Sequence, residues 1–387
     1  MTPSSRAKVL VVVGTRPEAI KMAPVVNALG NESDVDVRVA LTGQHGDLVD
    51  QALRAFGTVP DYDLEIMKPD QSLYDVVHGV LDGLREVVRS YEPDLLLVQG
   101  DTATVFTASL VGFFEHVRVG HVEAGLRSGR DRTKPFPEEM FRRLTDVVAD
   151  LYFAPTSRAR DALLAEDVPA ERVFVTGNTV VDALQAAAAQ RRPVSDPDLK
   201  TVVDDPTAQL ILLTVHRRES FGEPIRGVFQ AVRALADLAA NARIVYPVHP
   251  NPNVSAPARE LLSGHPRIAL TPPLDYFDLV AALQRADLVL TDSGGIQEEA
   301  PTFGAPVLVL RDRTERPEGV EAGAAEIVGT DRSLILSRSR SLLRGQRERE
   351  GTGVRQPYGD GHAAARIADI VAAELTGRPR TTTDWTP

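Results

Sequence analysis

The sequence predicts an open, doubly wound α/β fold in two Rossmann-like domains of similar size. Three observations lead there. Short, continuous apolar runs alternate with helical stretches along most of the chain, and each run breaks at a glycine-bearing or polar turn that opens a helix. A polar stretch at 190–209, carrying Pro193, Pro197 and Pro206, interrupts the rhythm near mid-chain, after which it restarts. A continuous apolar run suits a strand buried on both faces of a parallel sheet, and strands alternating with helices build such a sheet. Ligands of that architecture belong at the C-terminal ends of the strands.

In chain order, residues 8–13 (K-V-L-V-V-V) form the first strand, and Pro17 is placed to start a helix to about Leu29. A strand at 35–41 leads through T-G-Q-H into a helix to about Phe56. A long amphipathic helix at 73–91 precedes Pro93 and a strand at 95–98, which ends in Q-G-D-T before another helix. Strands at 117–122, 151–154 and 172–176 and a helix from about Val180 complete the first domain, 1–190, with 190–209 as the linker. The second domain, 191–361, has strands at 210–215, 243–248, 268–270, 288–290 and 307–310. Its helices fall at 226–240, 256–262, 276–285 and 296–303. The tail, 378–387, is polar and reads as disordered, Trp385 included.

At 387 residues the chain is long enough for about two domains. With 43% hydrophobic and 25% charged residues it has an ordinary globular composition. No run of 18 apolar residues is present to span a bilayer, and the polar residues before the first strand do not form a secretory signal. A cytoplasmic protein is expected. The absence of cysteine excludes disulfides, thiolate metal sites and a cysteine nucleophile. A net charge of −11 argues against nucleic acid or an anionic membrane as partner, so an anionic ligand has to be drawn in by local arginines.

The strand-to-helix stretch at 289–299, V-L-T-D-S-G-G-I-Q-E-E, has the make-up of an anion site. Its glycines allow close backbone approach, the helix N-terminus offers N–H groups, and its glutamates could accept hydroxyl hydrogen bonds. An ordinary well-capped βα turn is the plainer alternative. Arg16 and Lys21, after the first strand, suit a phosphate contact or a solvated face. Asp101, Glu123 and Glu138-Glu139 follow separate strands and could converge for proton transfer, although Asp101 before a helix could equally be a cap. His216 with Arg217 and Arg218 marks the end of the second domain's first strand, and Arg313 with Arg316 lies after a later one. No G-x-G-x-x-G follows the first strand, no P-loop is present, and no two histidines have helical ligand spacing. No cofactor or metal is therefore expected.

The blocks G-T-R-P-E-A-I-K-M-A-P (14–24), T-G-Q-H (42–45), V-Q-G-D-T (98–102) and H-V-E-A-G-L-R (121–127) recur in a fixed order. P-F-P-E-E (135–139), H-R-R-E-S-F-G (216–222), T-D-S-G-G-I-Q-E-E-A (291–300), T-E-R-P-E (314–318) and P-Y-G-D-G (357–361) continue it. On these the chain resembles the non-hydrolysing UDP-N-acetylglucosamine 2-epimerases almost end to end. The resemblance implies the glycosyltransferase type B (glycogen phosphorylase-like) pair of Rossmann-like domains, an active site in the interdomain cleft, and a homodimer. It also implies a final helix, 362–377, that packs back onto the first domain. The implied reaction inverts C2 between UDP-GlcNAc and UDP-ManNAc by elimination of UDP to 2-acetamidoglucal and re-addition.

Residue by residue, the resemblance makes Arg16, His216, Ser293, Gly294, Gly295 and Arg316 pyrophosphate contacts, Glu299 a ribose ligand, and Leu274 and Leu279 part of the nucleotide pocket. Lys21, Asp101, Glu123, Glu138, Arg142 and His216 take the positions credited with catalysis. The chain departs from the family pattern around the site where bacterial members bind a second UDP-GlcNAc as activator. There Gly46 and Asp47 replace a basic and a polar residue, and Asp70 stands where arginine is common, while Gln44, Glu138, Arg217 and His249 are retained. Loss of a cation and gain of two carboxylates beside a diphosphate predicts activation lost or altered. Leu279 replaces an aromatic that often stacks on uracil, and Phe141 replaces an asparagine. The rivals are a hydrolysing 2-epimerase, which releases ManNAc and UDP and is usually fused to a kinase domain, a variant acting on a related nucleotide sugar in secondary metabolism, a retaining glycosyltransferase, and a UDP-sugar sensor without catalysis.

Overall fold

The alternating apolar runs and helices build two parallel sheets. The computed structural model describes residues 6–43, 47–68, 70–344 and 356–387, and divides into two units, Met1–Ala186 with Tyr358–Thr386, and Ala187–Pro357. The first unit contains β1 (Ala7–Val13), α1 (Arg16–Gly30), β2 (Val35–Leu41), α2 (Asp47–Ala55), β3 (Tyr62–Asp63) and α3 (Leu73–Tyr91). It continues with β4 (Leu95–Gln99), α4 (Ala103–Phe114), β5 (Arg118–Val122), α5 (Glu138–Val148), β6 (Leu151–Ala154), α6 (Ser157–Leu164), β7 (Val173–Val175) and α7 (Thr179–Ala189). The second contains α8 (Pro197–Val203), β8 (Gln209–Thr214), α9 (Glu223–Leu238), β9 (Ala242–Pro247), α10 (Pro252–Leu262), β10 (Ile268–Thr271) and α11 (Tyr276–Arg285). There follow β11 (Leu288–Thr291), α12 (Gly294–Glu299), β12 (Val307–Val309), α13 (Pro317–Glu321), β13 (Ala325–Ile327) and α14 (Arg332–Arg344), and α15 (Ala363–Thr376) returns to the first unit.

The sheets run β3-β2-β1-β4-β5-β6-β7 and β10-β9-β8-β11-β12-β13, all pairs parallel. In each, chain order reverses beside the first strand, between β1 and β4 and between β8 and β11. Those reversals open the crevices in which doubly wound sheets bind ligands. The sequence motifs of 14–21 and 99–102 flank the first crevice; those of 214–217 and 291–295 flank the second.

Local chemistry explains the helix starts. Thr15 caps α1 in a reciprocal capping box with Glu18, Ser72 does the same with Asp75 for α3, and Thr102 accepts from Val105 N at the start of α4. Gly14 is required by close approach: a Cβ there would lie 2.3 Å from Thr104 Oγ1 and 2.8 Å from Thr42 Oγ1.

Two expectations are corrected. The 190–209 stretch is not a bare linker, since it holds α8, with Pro197 in its first turn and Asp196 accepting from Leu199 N. Ser195 N and Asp196 N donate to Asp278 of α11, 2.9 Å each. Proline reads as a breaker in sequence, yet suits the first helical turn, where its missing N–H costs nothing. Nor is the tail disordered. Trp385 is 5% exposed and its N–H donates to Val175 O at 2.7 Å, while Val175 N donates to Asp384 Oδ2 at 3.0 Å. The tail thus occupies the open edge of β7, whose backbone groups would otherwise lack partners. No helix among the described residues is long and apolar enough to cross a membrane.

Candidate active site

In the second unit, β8 and β11 end side by side, Thr214 opposite Thr291, with their hydroxyls 2.6 Å apart. Asp292 follows, fully buried. Its carboxylate accepts from His216 N at 2.9 Å and Arg217 N at 2.8 Å, which fixes the turn carrying both side chains. The His216 ring stacks on His249, centroids 5.6 Å apart, and its Nδ1 is 3.7 Å from Asp292 Oδ1. Burial pushes the His216 pKa down, helped by His249 and Arg217 and opposed by Asp292. A neutral imidazole, able to accept as well as donate, results near pH 7.

A cavity of about 330 Å³ opens here, lined among others by His216, His249, Leu274, Leu279, Ser293 and Glu299. Ser293 precedes α12, and a Cβ on Gly294 would meet Arg217 Nη2 at 3.5 Å and Arg316 Nη2 at 4.0 Å. Both guanidinium groups therefore reach the start of α12. A Cβ on Gly295 would lie 3.3 Å from Glu299 Oε1. The paired glutamates divide their work: buried Glu298 holds Arg316, whose backbone N–H donates to Thr314 Oγ1, while Glu299 faces the cavity. An apolar-walled recess with a carboxylate on one side and two arginines at a helix start can hold a nucleoside carrying an anionic group.

In the first unit the acids lie on either side of Gly100. Glu123 Oε2 accepts from Lys21 Nζ and Gln99 Nε2, both at 2.6 Å, and sits in a left-handed backbone conformation, φ 68°. Asp101 is ion-paired with Arg142 rather than used as a cap; Thr102 does the capping, which removes that alternative. Arg142 is 9% exposed and also binds Glu139 Oε2 at 2.8 Å and Ser128 Oγ at 2.9 Å. Glu138 opens α5, half-buried, and Arg16 opens α1 at the same crevice. A carboxylate paired with a lysine beside a second carboxylate paired with an arginine can pass a proton at a carbon held between them.

Of the residues set apart for an activator, Gln44 and Gly46 lie outside the described residues, as does the side chain of Asp47. Asp70 is exposed at φ 52°. Arg217 and His249 adjoin His216 and Ser293 in the second unit's cavity region. Sequence reasoning passed over Asp292, Gln99, His121 and Asp146. The first three lie within quoted motifs and Asp146 in none, so only their partners reveal their roles. Among the described residues no group of three or more His, Asp or Glu is arranged to hold a metal.

Fold and site define the class: a paired Rossmann-like enzyme that handles a nucleotide-linked substrate. A family model described as UDP-N-acetylglucosamine 2-epimerase matches residues 27–372. The UDP-N-acetylglucosamine 2-epimerase of Yersinia pestis is 47% identical over 367 residues, 93% of this chain and 97% of that one. A crystal structure from Listeria monocytogenes superposes at a TM-score of 0.91 with 43% identity, covering 99% of this chain and 100% of that chain. The UDP-GlcNAc 2-epimerase from Neisseria meningitidis, solved bound to UDP-GlcNAc, gives 0.84 at 41% identity, over 94% of this chain and 99% of that one. The chain belongs to the UDP-N-acetylglucosamine 2-epimerase family, and its fold class is glycosyltransferase type B.

Proposed function

We propose that this enzyme interconverts UDP-GlcNAc and UDP-ManNAc without hydrolysis, by eliminating UDP and adding it back. A base takes the C2 proton while the C1–O bond breaks, its electron pair leaving on the β-phosphate of UDP. The product, 2-acetamidoglucal, has a C1–C2 double bond. Re-addition returns UDP to C1 and delivers a proton to the opposite face of C2. The second unit supplies the leaving-group site: His216, Ser293, Gly294, Gly295 and Arg316 for the diphosphate, Glu299 for the ribose, and Leu274 and Leu279 for the base; Arg16 is a further diphosphate contact on the resemblance alone. Asp101 and Glu123 move the proton, with Glu138, Lys21 and Arg142 holding and charging the acid cluster.

The observation that carries this reading is the Lys21–Glu123–Gln99 contact, because it keeps one oxygen of a part-buried carboxylate engaged beside a second paired acid. The test is incubation with UDP-GlcNAc in D₂O, followed by proton NMR. UDP-ManNAc carrying deuterium at C2 is expected; free ManNAc would mean the hydrolysing reaction, and no change would sink the proposal. Glu123→Gln should lower C2 exchange by about 10²–10⁴-fold, and exchange at the wild-type rate would remove Glu123 from the mechanism.

Activation by a second UDP-GlcNAc is proposed to be lost or altered, since Asp70 places a carboxylate where the family pattern commonly has a cation. Epimerisation of UDP-ManNAc should then start without a lag when no UDP-GlcNAc is added. A lag abolished by added UDP-GlcNAc would refute this. A homodimer is proposed on the resemblance, and light scattering reads it directly.

A further inference from the structure

The acid cluster rests on a buried network that the reaction does not itself use. His121, at the end of β5, is fully buried. Its Nδ1 is 2.6 Å from Asp146 Oδ1 and its Nε2 is 2.8 Å from the Gly100 carbonyl oxygen. A backbone carbonyl can only accept. Asp146 can only accept as well when it is ionised, a state favoured by the Arg127 guanidinium 2.8 Å away and by the Gly125 N–H that donates to it. A neutral imidazole has one N–H and one bare nitrogen, so it would set a lone pair against one of these two acceptors. Only the doubly protonated ring satisfies both.

The position of the pair is as informative as its charge. His121 stands two residues before Glu123, and its Nε2 fixes the carbonyl of the residue before Asp101. Asp146 also receives Gly125 N at 3.3 Å and Arg127 Nη2 at 2.8 Å, so it grips the 121–127 turn on both sides of Glu123. That turn needs holding, because Glu123 occupies a left-handed conformation that non-glycine residues rarely adopt. Asp146 lies on α5 with Glu139, Arg142 and Arg143, at spacings of three, four and seven residues that place them on one helix face. One helix face thus holds Asp101 through Arg142, and Glu123 through Asp146.

We propose that His121 is a buried imidazolium and that the His121–Asp146 pair is the positioning device that sets Glu123 and Asp101 against each other. The positioning role rests on the function proposed above for those two acids; the charge of the ring does not. The full-length protein labelled with ¹⁵N-histidine tests the charge: both ring nitrogens of His121 should carry protons at neutral pH, the signal being assigned by its loss in His121→Gln. A wild-type His121 with one bare nitrogen overturns the proposal.

The positioning role is read from kinetics. His121→Gln and Asp146→Asn should each lower kcat by about 100-fold while KM for the UDP-sugar changes by less than about threefold, because the nucleotide cavity of the other unit is untouched. A general loss of packing would not separate kcat from KM in this way. Either folded variant keeping kcat within about twofold of wild type, or raising KM as much as it lowers kcat, overturns the role. If His121→Gln fails to fold, the ring signal is assigned instead through its own backbone resonances, and the nitrogen protonation of the wild type still decides the charge, as it does if the wild type does not epimerise UDP-GlcNAc.

Discussion

Two adjacent glutamates, Glu298 and Glu299, show how a single residue step separates roles at this site. A helix turns by about 100° per residue, so one carboxylate points inward to fix Arg316 and the next faces the cavity. The same economy of space governs Gly14, where β1 meets α1. Thr42 and Thr104 already share a 3.2 Å hydrogen bond against its Cα. Gly14→Ala would drive a methyl into both hydroxyls, and the turn carrying Arg16 would have to move. We expect a loss of about 1–3 kcal/mol, seen as a lower urea midpoint, together with reduced epimerisation. A midpoint equal to wild type would show that the turn yields without strain.

At the level of elements, the return of the chain to the first unit depends on a buried acid. Asp182, on α7, accepts from Ala364 N at 2.8 Å and Ala363 N at 3.3 Å at the start of α15, and Asn178 N donates to Tyr358 O at 2.7 Å. Burial raises the Asp182 pKa from 3.8 to about 6, against the pull of those backbone N–H groups. The folded-state pKa exceeds the unfolded one, so the folded chain holds the proton longer. Its contribution to stability is therefore complete below about pH 3.8 and is lost as pH rises through about 6. The shift corresponds to about 3 kcal/mol. Urea unfolding across this range should show wild type losing stability relative to Asp182→Asn as pH rises. Parallel pH curves for the two proteins would remove Asp182 as the cause.

On the scale of the whole molecule, the end of the tail packs on the edge of the first unit's sheet through Asp384 and Trp385 rather than trailing from it. Asp369 on α15 accepts from Thr381 N at 2.8 Å, Thr382 N at 2.7 Å and Arg378 Nη1 at 2.7 Å, which turns the chain toward β7. Burial opposes ionisation of Asp369, but these bonds hold its pKa below the usual carboxylate range. Trp385 then buries its ring, and Trp385→Ala should cost about 3 kcal/mol. Thermal unfolding of that variant should show a lower transition for the first unit, and an unchanged melt would mean that the tail adds nothing. Net charge acts on the same scale: at −11, an anionic ligand has to be drawn in by local cations against the overall field.

The sequence by itself determined the two-sheet architecture, because apolar runs, glycine turns and helix starts are local signals whose physics acts within a few residues. It also placed its polar clusters at the two points where strand order reverses, since such clusters at strand ends fall there in a doubly wound sheet. It did not determine partners. Asp101 was open to a capping role until Arg142, 41 residues away, claimed it, and Lys21 meets Glu123 across 102 residues. Trp385 reads as solvent-bound in a polar tail and is buried only because β7 presents an open edge. His121 could have been any core histidine until Gly100 and Asp146 both offered acceptors to its ring. Such choices belong to the tertiary structure, because a buried polar group is worth keeping only where the fold delivers its partner within hydrogen-bond reach.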